Sequence, residues 1–277
     1  TTGTGAAVSL DWADNTEVDL AGYRVYRSAA AGGPFSPASP VVTLNSDYVA
    51  VVVNQPNYYV VSAGDASGNE STFAGPIKFV APILLVNGYF VKGDYGYVDA
   101  YRSALQQLGY AFAEWSVLAQ GPVSAGMLDD YHDGLVIWSI GYFHPQFPDQ
   151  FNAAQQIVLA GYLANGGNLM LSGAYSAFYL DETPLFTDYL HVQHVAYNVD
   201  LPQLIGVPGT FGEGLTLNMH FLGYLSEVDP VAPAAAAWTF DSASGNGQVL
   251  SSGAGITFVD ANYKVVYLAF PFADIDV

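Results

Sequence analysis

Asp133–Ala174 reads DGLVIWSIGYFHPQFPDQFNAAQQIVLAGYLANGGNLMLSGA, and this stretch decides the architecture expected of the chain. Gly134–Trp138 is a continuous apolar run without alternation, the pattern of a strand covered on both faces. Asn152 stands where it can cap a helix, and Gln155, three residues on, can bond back to it. Ala154, Val158 and Tyr162, flanked by Leu159 and Leu163, form an apolar stripe at helical spacing. Gly166-Gly167 stops the helix, because a left-handed C-terminal residue costs least at glycine. Asn168–Ser172 then reads as the next parallel strand, reached by a right-handed crossover. The stretch is one complete βαβ unit.

Working outward, Ile83–Asn87 is a buried strand, followed by the glycine- and tyrosine-rich loop Gly88–Gly96. A helix with Val98, Tyr101, Leu105 and Leu108 on one face ends at Gly109. Tyr110–Val117 returns as a strand, and Ser124–Tyr131 is a short helical link into the βαβ unit. Beyond Ser172 a helix ends within Phe186–Leu190. Short strands follow at Val195–Val199, Ala237–Phe240, Gly255–Val259 and Val265–Phe270, with no order legible among them. This alternation predicts a doubly wound, mostly parallel α/β sandwich over residues 81–277.

Residues 1–80 have a different texture. Val8–Trp12, Gly22–Ser28, Val49–Val53 and Tyr58–Ala63 are short β-rich runs punctuated by Pro, Gly and Asn, which predicts an antiparallel sandwich. Its inward face would carry Leu10, Trp12, Tyr23, Val25, Tyr59, Val61 and Ala63. The expected fold class is therefore multidomain, β followed by α/β, with almost no linker at Phe79–Pro82.

Two resemblances accompany this reading. LDWADNTEVDLAGYRVYRS followed by NYYVVSAGDASGNES, within residues 6–80, resembles a bacterial fibronectin type III module, although Asn57 stands where many such modules carry a tyrosine. That resemblance implies a spacer or adhesive module without catalysis. ILLVNGYFVKGDYGYVDAYRSALQQLGYAFAEWSV, YHDGLVIWSIG, AAQQIVLAGYLANGGNLMLSGA and VVYLAFPFADI, over about 82–275, resemble the flavodoxin-like, glutamine-amidotransferase-like domain that follows the catalytic part of many secreted bacterial peptidases. Asn87 replaces the aspartate usual in that type, and its catalytic cysteine is missing.

Composition narrows the function classes. Six basic against 25 acidic residues give a net charge of −19, which argues against nucleic acid and anionic membranes as partners. The 277-residue chain has only 11% charged residues but 20 Tyr and 16 Phe, so some aromatic surface is expected to face outward and meet a partner. It lacks cysteine, which removes disulfides, thiolate metal sites and thiol nucleophiles. Its longest apolar stretches, Phe79–Val86 and Val231–Phe240, are short of a membrane span and contain proline. Thr1–Gly5 reads as a linker, as in a processed or excised piece.

Candidate chemistry is sparse. Ser172-Gly173 lies on a turn after a strand, where a serine nucleophile could sit, yet Met170 and Ala174 replace the glycines of a nucleophile elbow. His191 and His194, three apart, with His220 later, could bind zinc, but no HExxH is present and the stretch favours strand. His132 and His144 have no identifiable partners. Asp11, Asp14, Glu17 and Asp19 make calcium a candidate against a turn-forming role, and Asp65, Asn69 and Glu70 read as a hairpin turn. Gly88–Gly96 lacks any phosphate-loop motif.

The best candidate surface is aromatic. Tyr89, Phe90, Tyr95, Tyr142, Phe143, Tyr175 and Tyr179, with Tyr97, Phe147 and Phe178, gather at the C-terminal edge of the expected sheet, where rings could stack on sugars or grip another protein. The expectation is an exported bacterial protein of the cell surface or extracellular space, without catalysis or cofactor. It would act in adhesion or assembly through other protein chains, copies of itself or glycans, with no membrane insertion. An accessory region of a larger secreted peptidase, and a hydrolase using Ser172, are the alternatives.

Overall fold

The computed structural model describes residues 7–38, 47–51, 57–88, 96–142, 151–199, 202–220, 225–241 and 253–276. The chain falls into two compact units: residues 1–82 with 105–113, and residues 83–104 with 114–277.

The first unit is a sandwich of two antiparallel sheets. One pairs β1 (Ala7–Asp11) with β4 (Asp47–Val51), Leu10 opposite Tyr48. The other runs β3–β2–β5–β6, built from β2 (Leu20–Ser28), β3 (Ser36–Pro37), β5 (Asn57–Asp65) and β6 (Ala74–Phe79). This is the fibronectin type III-like arrangement that the first resemblance implies. Alternation along β2 buries Tyr23 and Val25 and leaves Arg24 outside; Tyr59 and Val60 are buried on β5. Trp12 meets Tyr23 edge-on at 5.4 Å, and the Tyr23 hydroxyl accepts a hydrogen bond from the Asn15 amide at 2.5 Å. Leu10, Trp12, Val25, Tyr59 and Ile77 line a small apolar cavity of about 90 Å³. Asp65 does form a hairpin turn: its carboxylate accepts from the backbone of Ser67 and Asn69 and from the Asn69 amide side chain.

In the second unit the βαβ stretch folds as its local signals require. β7 (Ile83–Asn87) and β9 (Leu135–Tyr142) run parallel, and β9 runs parallel to β10 (Asn168–Ala174). Between the first two lie α1 (Asp99–Gln107), β8 (Phe112–Ser116), α2 (Val117–Gln120) and α3 (Ala125–Leu128), the last two capped by the Ser116 and Ser124 hydroxyls. α1 buries Tyr101 and Leu105, and Val98 just before it is buried too, but Leu108 lies past its end and is 70% exposed. α4 (Ala153–Ala164) links β9 to β10, and the Asn152 side chain accepts from the Gln155 amide at 3.1 Å. Its face of Leu159, Tyr162 and Leu163 is buried. The Tyr162 hydroxyl lies within hydrogen-bond distance of the carbonyls of Tyr131 and Asn168, which share its one proton, and it accepts from the Asn168 amide.

The doubly wound α/β sandwich expected for residues 81–277 is not what forms. Strand dominates the structure, at 44% against 22% helix, and the sheet is a mixed one of 12 strands. After α5 (Ser176–Leu180) and one π-helical turn (Leu185–Tyr189), the chain lays down β11 (Val192–Val199), β12 (Gln203–Gly206), β13 (Thr216–Met219), β14 (Leu225–Pro230), β15 (Ala235–Phe240), β16 (Gly253–Val259), β17 (Lys264–Leu268) and β18 (Ile275–Asp276). The sheet order is β18–β13–β12–β15–β16–β17–β10–β9–β7–β8, with β14 pairing both β11 and β16 off that path. Among the described residues only β17 in this tail joins parallel, beside β10; β16, β15, β12, β13 and β18 continue antiparallel.

The physical reason is connection length. β16 and β17 are separated by Asp260–Tyr263, and the Asp260 carboxylate accepts from the Asn262 and Tyr263 amides at 2.7 and 2.8 Å. So short a link closes a hairpin, whereas a parallel crossover needs a dozen or more residues. The antiparallel half encloses its own core of Val199, Leu204, Leu225, Trp238, Phe240 and Phe270. Among the described residues no helix is long and apolar enough to cross a membrane.

Candidate functional site

The βαβ unit ends in a tight turn that organises the site. Tyr175 connects β10 to α5 with φ at 57°, a left-handed conformation that a residue with a side chain adopts only when its surroundings enforce it. The surroundings do so from both sides. Ser176, fully buried, donates its hydroxyl proton to the Gly173 carbonyl at 2.6 Å and sits 2.7 Å from the Tyr267 hydroxyl. Gly173 has no room for a side chain, since a Cβ there would lie 2.8 Å from the Ile140 Cβ. Tyr175 therefore stands at the apex of the turn, and Ser172 does not. Ser172 is 0% exposed, and its hydroxyl lies 2.5 Å from that of Tyr101.

Around that apex the aromatic side chains converge. β9 and β10 are parallel, so Tyr142 at the end of one and Tyr175 after the other share a sheet edge, 5.7 Å between ring centroids. Tyr175 lies 6.1 Å from Tyr179 on α5 and 6.5 Å from Tyr197 on β11. Phe178 bridges Tyr179 and Tyr197, at 5.1 Å from each. Phe178 is 44% exposed and Tyr197 51%, so the cluster opens to solvent. Most of these contacts are edge-to-face, the arrangement that ring quadrupoles favour.

A polar pair borders the rings. His194 packs 5.7 Å from Phe178 and lies nearly parallel to Tyr197 at 6.4 Å. Its Nδ1 is 3.9 Å from the Asp181 carboxylate, which also accepts from the His194 backbone amide at 3.4 Å. The His194 Nε2 is buried and has no hydrogen-bond partner among the described residues. Burial pushes the Tyr179 phenol above its ordinary pKa, so it stays a neutral donor at any physiological pH.

Of the rings named from sequence, the structure thus joins Tyr142, Tyr175 and Tyr179, with Phe178. Tyr89, Phe90, Tyr95, Phe143 and Phe147 lie outside the described residues. Tyr197 is the ring that sequence reasoning missed. Its signal was present: Gln193, Val195 and Tyr197 alternate along β11 and are all exposed, which places apolar groups on a solvent-facing strand surface.

The histidines do not converge. His191 sits 3.1 Å from the Tyr263 hydroxyl and packs on Phe258 at 4.3 Å, while His220 faces Asp276 at 4.0 Å. Burial holds the His191 imidazole below its ordinary pKa against the opposing charges of Asp188 and Asp260. Asp14, Glu17 and Asp19 are exposed on the segment leading into β2, where the Asn15 side chain accepts from the Glu17 amide. Among the described residues no three His, Asp or Glu side chains form a group that could hold a metal ion.

No family model matches the chain, and no curated protein sequence matches it. Among solved structures, the chain is similar to the mmIFT52 N-terminal domain at 15% identity, over 70% of this chain and 88% of that one, with a TM-score of 0.45. It is also similar to a Fn3-like protein from Clostridium thermocellum at 28% identity, over 27% of this chain and 75% of that one, with a TM-score of 0.23. Likeness this weak transfers neither ligand nor activity to this chain.

Proposed function

We propose that this is a non-catalytic contact protein of the cell surface or extracellular space, working in adhesion or assembly through the rings around Tyr175. The observation that carries this reading is the exposure of Phe178 and Tyr197, two large aromatic side chains from different elements that touch each other and open to solvent. A protein with 11% charged residues gains nothing in solubility from such a patch, so a partner accounts for it best. Two further features favour contact over bond cleavage: the serine nearest the strained turn is enclosed, and the turn itself presents a tyrosine.

The test is adhesion to bacterial envelope material, comparing the chain with its Phe178→Ala/Tyr197→Ala variant by co-sedimentation. Loss of sedimentation in the variant, with near-ultraviolet circular dichroism unchanged outside the lost rings, is the expected result. Equal sedimentation of both proteins would end this reading.

A further inference from the structure

We infer that the occupant of the ring surface is a neutral polysaccharide, whose sugar rings lie on Phe178 and Tyr197 and whose hydroxyls reach Asp181 and His194. The inference rests on the contact reading above and names its ligand class.

The chemistry of the surface comes first. A pyranose has an apolar C–H face and a rim of hydroxyls that both donate and accept. The patch offers the complement: ring faces of Phe178 and Tyr197, phenol hydroxyls, a carboxylate and an imidazole within one cluster. His194 adds a specific vacancy. Among the described residues its Nε2 has no hydrogen-bond partner, although buried polar atoms are nearly always satisfied. Phe178 lies edge-on to that imidazole, 5.7 Å between ring centroids, so a sugar lying on Phe178 is held beside it.

Charge then separates the occupants. With 25 acidic residues against 6 basic, the chain repels anionic polysaccharides, nucleic acid and anionic lipid alike. A lysine-rich segment would stack on the same rings, but it needs carboxylates to spare. The charge of Asp181 is already shared with the neighbouring His194, 3.9 Å from its Nδ1, which leaves little for an ammonium, whereas the remaining lone pairs of the carboxylate can still accept from a sugar hydroxyl. A neutral ligand fits the rings without an unmatched charge.

Rigidity is the third point. The Tyr175 turn is held by Ser176, Tyr267 and Gly173, so the backbone that carries α5 and its Phe178 is set before the ligand arrives and less ordering remains to be done on binding.

The experiment titrates the purified chain with cellohexaose, chitohexaose, xylohexaose and mannohexaose by calorimetry, with oligogalacturonate and a lysine-rich peptide as charged comparisons. The expected result is binding of at least one neutral hexaose. Phe178→Ala and Tyr197→Ala should each weaken it about tenfold, Tyr197→Trp should retain it, and neither charged probe should bind. Failure of all four neutral sugars would overturn the glycan assignment, as would peptide binding that depends on the same two rings. The contact reading is separable: if Phe178→Ala/Tyr197→Ala still abolishes envelope adhesion while no sugar binds, the ligand class is wrong and the surface is right. If adhesion is also unaffected, both fall.

Discussion

The side-chain hydroxyls of Ser172 and Tyr101 lie 2.5 Å apart in the interior, each the hydrogen-bond partner of the other. Burial drives the Tyr101 phenol well above its ordinary pKa, so the pair is neutral and structural. Ser172→Ala should leave that phenol unpaired and lower stability by about 1–3 kcal/mol in urea denaturation. Adding Tyr101→Phe should recover part of the loss, because it removes the orphaned group. Fluorophosphonate probes should not label Ser172 in the folded protein.

Tyr175 should behave as a strained residue whose backbone decides what can replace it. At φ 57°, asparagine is tolerated and a β-branched side chain is not. Tyr175→Val should therefore be less stable than Tyr175→Asn by about 1–2 kcal/mol, although valine is the more apolar replacement. Denaturation midpoints of the two variants, measured side by side, check this; equal midpoints would show that the turn carries no strain.

Asp274 should make stability fall as pH rises through the mildly acidic range. Partial burial pushes its carboxyl up to about 6, against the opposing influence of His220, whose backbone amide donates to the Asp274 carbonyl. A carboxyl raised in the folded state binds its proton more tightly there than in the unfolded chain. The stability it contributes is complete below the ordinary carboxylate value of 3.8 and is lost as pH rises through about 6. The urea midpoint should fall between pH 4 and pH 7 by an amount that Asp274→Asn removes. An unchanged slope in Asp274→Asn would assign the dependence to other groups.

Gly167 has a steric reason to be glycine that differs from that of its neighbour. Gly166 is left-handed, at φ 96°, as the helix stop requires. A Cβ on Gly167 would instead enter the Tyr162 ring, 2.3–2.4 Å from three of its carbons. Gly167→Ala should cost about 1–3 kcal/mol through overpacking, and much of that loss should vanish in a Tyr162→Ala background. Additive effects in the thermal or urea melt would separate the two residues.

How much of this was legible follows from how far apart the deciding residues stand. The Asn152 cap, the Leu159–Tyr162–Leu163 stripe and the Gly166-Gly167 stop all act within one or two turns, and the unit from β9 to β10 folds as they indicate. Downstream of Leu190 the expected strands at Val195–Val199, Ala237–Phe240, Gly255–Val259 and Val265–Phe270 do form, at β11, β15, β16 and β17, but their order and the strands β12, β13, β14 and β18 were not legible. β13 and β12 are four-residue strands with mixed burial, held by pairing with each other and with β15 and β18. The Asp260–Tyr263 hairpin could have been read from its short spacing and its Asx turn, and it argues directly against a parallel crossover. At the site, Tyr142, Tyr175 and Tyr179 were visible as aromatic residues near strand ends. Tyr197 carried the alternation of an exposed strand face, but its place in the cluster was not visible, because the position of β11 depends on its pairing with β14, whose partners run from Val199 with Leu225 to Val192 with Pro230.

The amino-acid sequence alone determined the local elements: caps, stops, apolar stripes, the absence of cysteine and the surplus of acid over base. These depend on backbone preferences and side-chain chemistry within a few residues. Tertiary structure alone decided that Tyr175, and not Ser172, stands at the apex of the turn, and that Tyr197 and His194 complete the ring cluster. Enforcing a left-handed tyrosine takes Ile140 pressed against Gly173 and Tyr267 against Ser176, contacts between elements far apart in the chain. Such contacts exist only once the sheet has closed, so no window of sequence contains them.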